Sequence, residues 1–196
     1  KKSFFVHSQT APSQPAGEYM TRAYMLVSMY VSRAYGCSFF GIAVSIGHAL
    51  VDTGAQSGVV GLYYWTLWCE TLLRDFGLRP LFKPVPESSS AGGVGGSSAI
   101  LAICVMPMGI AGVPGLMEWA VCEDSPQDNV PPLLPISWQK DADAAIEPKQ
   151  RRMTLRAHGN AVAKLHDLPT EHQTTSVLEF GEDGWCLPPE HLTYYR

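Results

Sequence analysis

The residue whose setting most invites chemistry is Asp52. It closes the apolar run Ala49-Leu50-Val51 and is followed at once by Thr53, Gly54 and Ala55, after which Val59 and Val60 resume the apolar pattern. Leu50 and Val51 read as a buried strand, so the carboxylate arrives at a strand end, partly removed from water. Gly54 supplies the backbone freedom to turn sharply just beyond it. A carboxylate so held can serve as a general acid or base. A strand followed by an Asp-initiated turn is also a common structural device, and the triplet alone does not separate the two.

A second stretch narrows the choice. Gly92, Gly93, Val94, Gly95 and Gly96 saturate a short loop with glycine just ahead of the apolar run Ala99 to Val105, the pattern of a mobile hairpin tip. Other reactive side chains are less well placed. His48 precedes the acid by one strand length and reads as a turn residue at the far end of that strand, with no catalytic role. His166, His172 and Cys186 match no common zinc spacing, and no metal is assigned. The five cysteines are odd in number, widely spaced and without a Cys-x-x-Cys pair, which suits a reducing, cytoplasmic setting better than a disulfide framework.

Together the two glycine-bearing stretches resemble the retropepsins, the aspartic proteases of retroviral and retrotransposon polyproteins. Asp52-Thr53-Gly54-Ala55 matches the catalytic motif, and Gly92 to Gly96 matches the Gly-Gly-Ile-Gly-Gly flap tip with Val94 for isoleucine. The similarity runs from about Gly41 to Ala157. It implies a mainly β fold, a closed acid-protease barrel with one or two short helices and one lobe per chain. It implies an aspartic endopeptidase that needs no cofactor and cleaves a protein or peptide substrate. Such hydrolysis uses two carboxylates sharing one proton, one to activate water and one to protonate the carbonyl oxygen. Asp75, Asp141 and Asp143 lack the Thr-Gly continuation, so the second acid must be Asp52 of another copy, brought alongside by a two-fold axis in a homodimer.

The same resemblance assigns roles. Thr53 hydrogen-bonds across the dimer base, and Gly54 turns the chain and presents its amide near the carboxylates. Ala55 and the flap residues Gly92, Gly93, Val94, Gly95 and Gly96 contact an extended substrate, over which the flap closes. In the family a hydrophobic pair followed by glycine crosses opposite the catalytic loop and leads into a short helix. Leu133-Leu134-Pro135 stands at that place here, and proline cannot take the positive φ that glycine permits.

The elements that must position these residues are partly readable. Phe39 to Ile46 is rich in aromatic and β-branched residues and, through a turn at Gly47 and His48, reads as a hairpin strand feeding the acid. Leu62, Trp65, Trp68, Leu72 and Phe76 are spaced by threes and fours, which predicts a helix capped by Gly77. Leu81 to Val85 reads as an edge strand confined by Pro84 and Pro86, and Glu87 to Ala91 as a polar connector. Ile100 to Met106 descends from the flap, and a turn around Gly112 to Gly115 leads to Met117 to Cys122, where Met117, Trp119 and Val121 share a buried face. Ser137 to Ala145 is the candidate short helix, and Ala145 to Glu147 with Met153 to Ala157 a closing hairpin around Pro148.

Of the 196 residues, 46% are apolar and 16% charged, enough for a globular core and against disorder throughout. The division expected is an N-terminal extension or linker over 1–35, a protease domain over 36–157 and a C-terminal extension over 158–196. Lys1 to Gly17 carries little periodicity and should have little order, while Met20 to Tyr35 fits a strand or a helix. Phe180, Trp185, Tyr194 and Tyr195 should pack the C-terminal extension on the domain. A net charge of −4 leaves no electrostatic footprint for nucleic acid, and Lys149, Arg151 and Arg152 read as a solvated turn. Ser98 to Met117 is uncharged and long enough to cross a bilayer, but Pro107, Gly109, Gly112, Pro114 and Gly115 punctuate it as strands and a turn, so no membrane span is assigned. The chain starts Lys1-Lys2 with no leader pattern, as a piece excised from a polyprotein would. Two other classes compete: a non-catalytic protease-fold domain that binds peptides or assembles with other polyprotein parts, and a structural capsid-type segment in which both motifs are accidental.

Overall fold

One strand organises the molecule. In the computed structural model, which describes residues 5–7, 42–85, 90–93, 96–124, 129–186 and 195, β6 (Gly96–Cys122) runs unbroken from the glycine hairpin to the base of the core. Its middle, Cys104 to Ile110, is buried at every position, as expected for a nearly continuous apolar run covered on both faces. The expected turn around Gly112 to Gly115 is instead a kink inside this strand. Ala111 and Gly112 take φ of 54° and 75°, and pairing resumes beyond them.

The other strands dock along β6. β4 (Leu81–Lys83) pairs antiparallel with it, Leu81 opposite Val105, and β5 (Ser90–Gly93) forms the hairpin, Gly93 opposite Gly96. β3 (Gly58–Gly61) runs parallel to Trp119–Cys122. β1 (Phe5–His7) runs parallel to Gly115–Met117, a short strand where little order was expected, and the rest of Lys1 to Gly17 lies outside the described residues. Beyond β3 the sheet continues through β7 (Leu133–Leu134), β2 (His48–Val51), β12 (Gln173–Ser176) and β11 (His166–Asp167). β13 (Leu178–Phe180) returns to β6 near its kink.

The fold is mainly β, with α1 (Leu62–Thr71) and α2 (Ile136–Asp141) as its α-helices among the described residues. The closed barrel does not form there. Among the described residues β1 and β11 end the strand path, each paired on one side only, and the sheet is not closed on itself. Of the hairpin strand expected from Phe39 to Ile46, Phe39 to Gly41 lie outside the described residues, and the described remainder does not pair with β2 as a hairpin. Ile42 makes an isolated bridge, Ser45 and His48 close a turn, and the antiparallel neighbour of β2 is β12 from the far end of the chain. The expected turn through Gly47 is present, and His48 both closes it and begins β2. Met20 to Tyr35 and Tyr194 lie outside the described residues.

Helix α1 follows the predicted spacing as far as Thr71 and then widens into a π-helix, Leu72–Phe76, that ends at Gly77 with φ 65°. Its N-terminus is capped from a distance. The Asp124 carboxylate accepts the Tyr63 and Val130 amides, both at 2.7 Å, and burial holds that carboxyl above its ordinary range. Inside, Trp68 meets Trp119 edge to face at 5.0 Å, a contact worth about 0.5–1.5 kcal/mol beyond the area it buries. Both indoles are fully buried, so α1 clamps the strand beside β3. A second sheet of three strands, β8 (Ala144–Glu147), β9 (Arg152–Leu155) and β10 (Ala161–Lys164), packs Met153, Leu155 and Ala163 inward. Trp185 and Tyr195 are buried against each other and Trp185 Nε1 donates to Gly115 O at 2.9 Å. No helix among the described residues is long and apolar enough to cross a membrane.

Candidate active site

β7 lies between β2 and β3, so the strand that enters the acid loop and the strand that leaves it are held apart by a third. Leu50 and Val51 pair parallel with Leu133 and Leu134, and Val59 pairs antiparallel with Leu133. The loop 52–57 therefore closes over the end of β7. The Leu50 amide donates to Pro132 O at 2.8 Å, and the Asp52 amide to Leu134 O at 3.4 Å. Leu133-Leu134 thus makes the crossing expected of it.

Pro135 does not prevent closure. It sits at φ −75° and ψ 152°, an extended conformation that proline favours, and serves as the N-cap of α2. The helix it starts is shorter than Ser137 to Ala145, because Ala144–Glu147 leaves as β8. Its first turn faces the acid loop. The Ile136 amide donates to Ala55 O at 2.8 Å, and Ser137 Oγ to Gln56 O at 2.9 Å. Gln139, only 3% exposed, donates its Nε2 to Leu134 O at 3.0 Å and to Asp52 O at 3.3 Å.

Asp52 is half-buried, and its Oδ1 accepts the Gly54 amide at 2.7 Å. This is the Asx turn anticipated from the triplet, but the reason for glycine differs from the one expected. Gly54 does not take a left-handed backbone, and a Cβ there would stand 3.1 Å from Asp52 Oδ1, closer than a side chain ordinarily tolerates beside a carboxylate. Thr53 and Gly54 are exposed, and Ala55 is half-buried. One carboxylate oxygen is engaged by the loop, and a half-buried acid flanked by exposed small residues leaves room for an approaching group.

The glycine hairpin is present, with Gly92 and Gly93 of β5 opposite Ser97 and Gly96 of β6. Val94 and Gly95 lie outside the described residues. Glu123 donates its amide to Ala99 O at 3.0 Å, which ties the base of the hairpin to the far end of β6. Along β2, His48 stacks edge to face on His166 at 5.2 Å, and burial, followed by His166, holds its imidazole below the ordinary range.

Competing chemistries find less. Burial pushes the Cys104 thiol up to about 12 and that of Cys122 to about 11, so neither supplies a thiolate nucleophile near neutral pH. Among the described residues no group of three His, Cys, Asp or Glu side chains is placed to hold a metal. Sequence reasoning passed over Ser137 and Gln139. The one signal for Gln139 is a polar residue next to Trp138 in a short helix whose inward face should be apolar. No protein-family model matches the chain, and no curated protein matches it in sequence.

Proposed function

We propose that the chain is one half of a dimeric, retropepsin-like aspartic endopeptidase in which two copies of Asp52 act on one peptide bond. The observation that carries this reading is the placement of Asp52-Thr53-Gly54 in a loop straddling β7, with α2 closing it from below. In this reading an ionised Asp52 takes a proton from a water molecule held between the two carboxylates as that water attacks the scissile carbonyl. The partner acid gives its proton to the carbonyl oxygen, and the tetrahedral species collapses with a proton passed to the leaving amine. The glycine hairpin lies over the substrate and offers backbone amides and carbonyls to an extended peptide. Substrate specificity falls to side-chain pockets on either side of the cleavage point.

A second reading has its own observation. The open sheet favours a protease-fold domain that binds peptides or assembles without cleaving them. A denatured protein substrate, with and without a statine-type mimic of the tetrahedral state, separates the two. Cleavage blocked by the mimic supports the endopeptidase. Absence of both cleavage and mimic binding at concentrations where the chain is dimeric overturns it in favour of the binding domain.

A further inference from the structure

We infer that Gln139 is the positioning residue for Asp52. In its catalytic consequence this inference rests on the endopeptidase reading. The amide side chain is buried, and its Nε2 is shared between two main-chain carbonyls that belong to different elements, Leu134 O at the end of β7 and Asp52 O at the start of the acid loop. Donation to two carbonyls fixes which end of the amide is nitrogen. Its Oε1 receives no hydrogen bond among the described residues. A buried acceptor left unpaired is costly, and a methionine or leucine would fill the same space without that penalty. A half-satisfied glutamine fits the position because it locks something that an apolar side chain cannot.

What it locks is the peptide plane between Asp52 and Thr53. Asp52 is then restrained at three polar points, its amide on Leu134 O, its carbonyl on Gln139 Nε2 and its Oδ1 on the Gly54 amide. With the carbonyl released, that plane can rotate, the Gly54 amide turns away and the carboxylate leaves the line to its mate. A displacement of about 1 Å in a reacting group costs on the order of 100-fold in rate. Gln139 touches no substrate in this account, so its loss acts on turnover and not on substrate binding.

The test uses the full chain with Gln139→Met and Gln139→Glu. Methionine keeps the volume and removes the donor. It should lower kcat on the order of 100-fold with KM nearly unchanged, and it should speed exchange of the Gly54 amide while amides of β6 remain protected. Glutamate can donate only when protonated, so it should recover part of kcat at acid pH and lose it as pH rises, an alkaline limb that a purely structural role would not produce. Unchanged Gly54 exchange in Gln139→Met overturns the inference whether or not the chain cleaves anything. Faster exchange with unchanged kcat overturns its catalytic half. If the parent chain itself cleaves nothing, the endopeptidase reading fails, and the positioning claim is decided by exchange alone.

Discussion

The acid loop and the glycine hairpin are built in opposite ways. Residues 52–57 accept or donate hydrogen bonds to β7 and to α2, whose Trp138 is fully buried. The hairpin of β5 and the start of β6 is composed of Ser90, Ala91, Gly92 and Gly93 opposite Gly96, Ser97, Ser98 and Ala99, with no large apolar side chain to bury. A two-stranded ribbon of that kind is marginally stable by itself. In the endopeptidase reading the contrast suits both parts, because an acid that has to meet its counterpart is tied to two elements and a cover that has to move is a ribbon of small residues. The structural contrast itself follows from side-chain size and hydrogen bonding alone.

The sharpest way to break the comparison is at the acid. Asp52→Asn keeps the shape of the loop and removes the shared-proton chemistry, so peptide cleavage should disappear while the far-UV and near-UV spectra stay those of the parent. Cleavage by the purified variant at the parental rate would remove Asp52 from the mechanism.

The core beside β3 comes next. Trp119→Ala deletes the indole that Trp68 meets and should cost about 3–5 kcal/mol in denaturant unfolding. The loss should reach the acid loop through Gly58, which pairs with Trp119 across β3 and β6. A destabilisation below about 1 kcal/mol would mean that the core relaxes around the gap and that the contact with Trp68 is not rigid.

A smaller effect depends on pH. His48 leads β2 toward Asp52, and its imidazole is held below the ordinary range in the folded chain. An unfolded histidine takes up its proton near pH 6.5, about where the folded one still resists. As pH falls through that value the unfolded state binds the proton first, so stability is lost on acidification and is fully present above it. His48→Gln should flatten this part of a plot of melting temperature against pH. An equally steep fall in the variant would assign the acid sensitivity elsewhere.

The smallest change in stability is expected at the hairpin. Gly93→Val or Gly96→Val restricts the backbone where hinge freedom is wanted, so turnover should fall while stability moves by no more than about 0.5 kcal/mol. Unchanged kinetics in both variants would reduce the hairpin to a connector.

How far the residues themselves foretold this arrangement differs between the two regions. The acid turn and the spacing of α1 were legible because each is written in a short run of neighbouring residues, whereas the crossing at Leu133-Leu134, which joins distant parts of the chain, was expected only from the family resemblance. The π-helical end of α1 was not, since Leu72 and Phe76 keep a helical spacing in either form. The partner of β2 was hidden for a different reason. Pairing between Thr174 and Leu50 spans most of the chain, and nothing local to β2 says that its antiparallel neighbour is β12. Gln139 was hidden because the value of a buried amide lies in the two carbonyls it meets, and those come from β7 and the acid loop.

The central claim, that each chain carries half of a catalytic pair, is tested most directly by specific activity across a dilution series, with association state followed by ultracentrifugation on the same samples. Activity per chain should fall in step with the dimer fraction, because a separated protomer holds one Asp52 and lacks the second acid. Activity per chain that stays constant while the dimer dissociates would contradict the account.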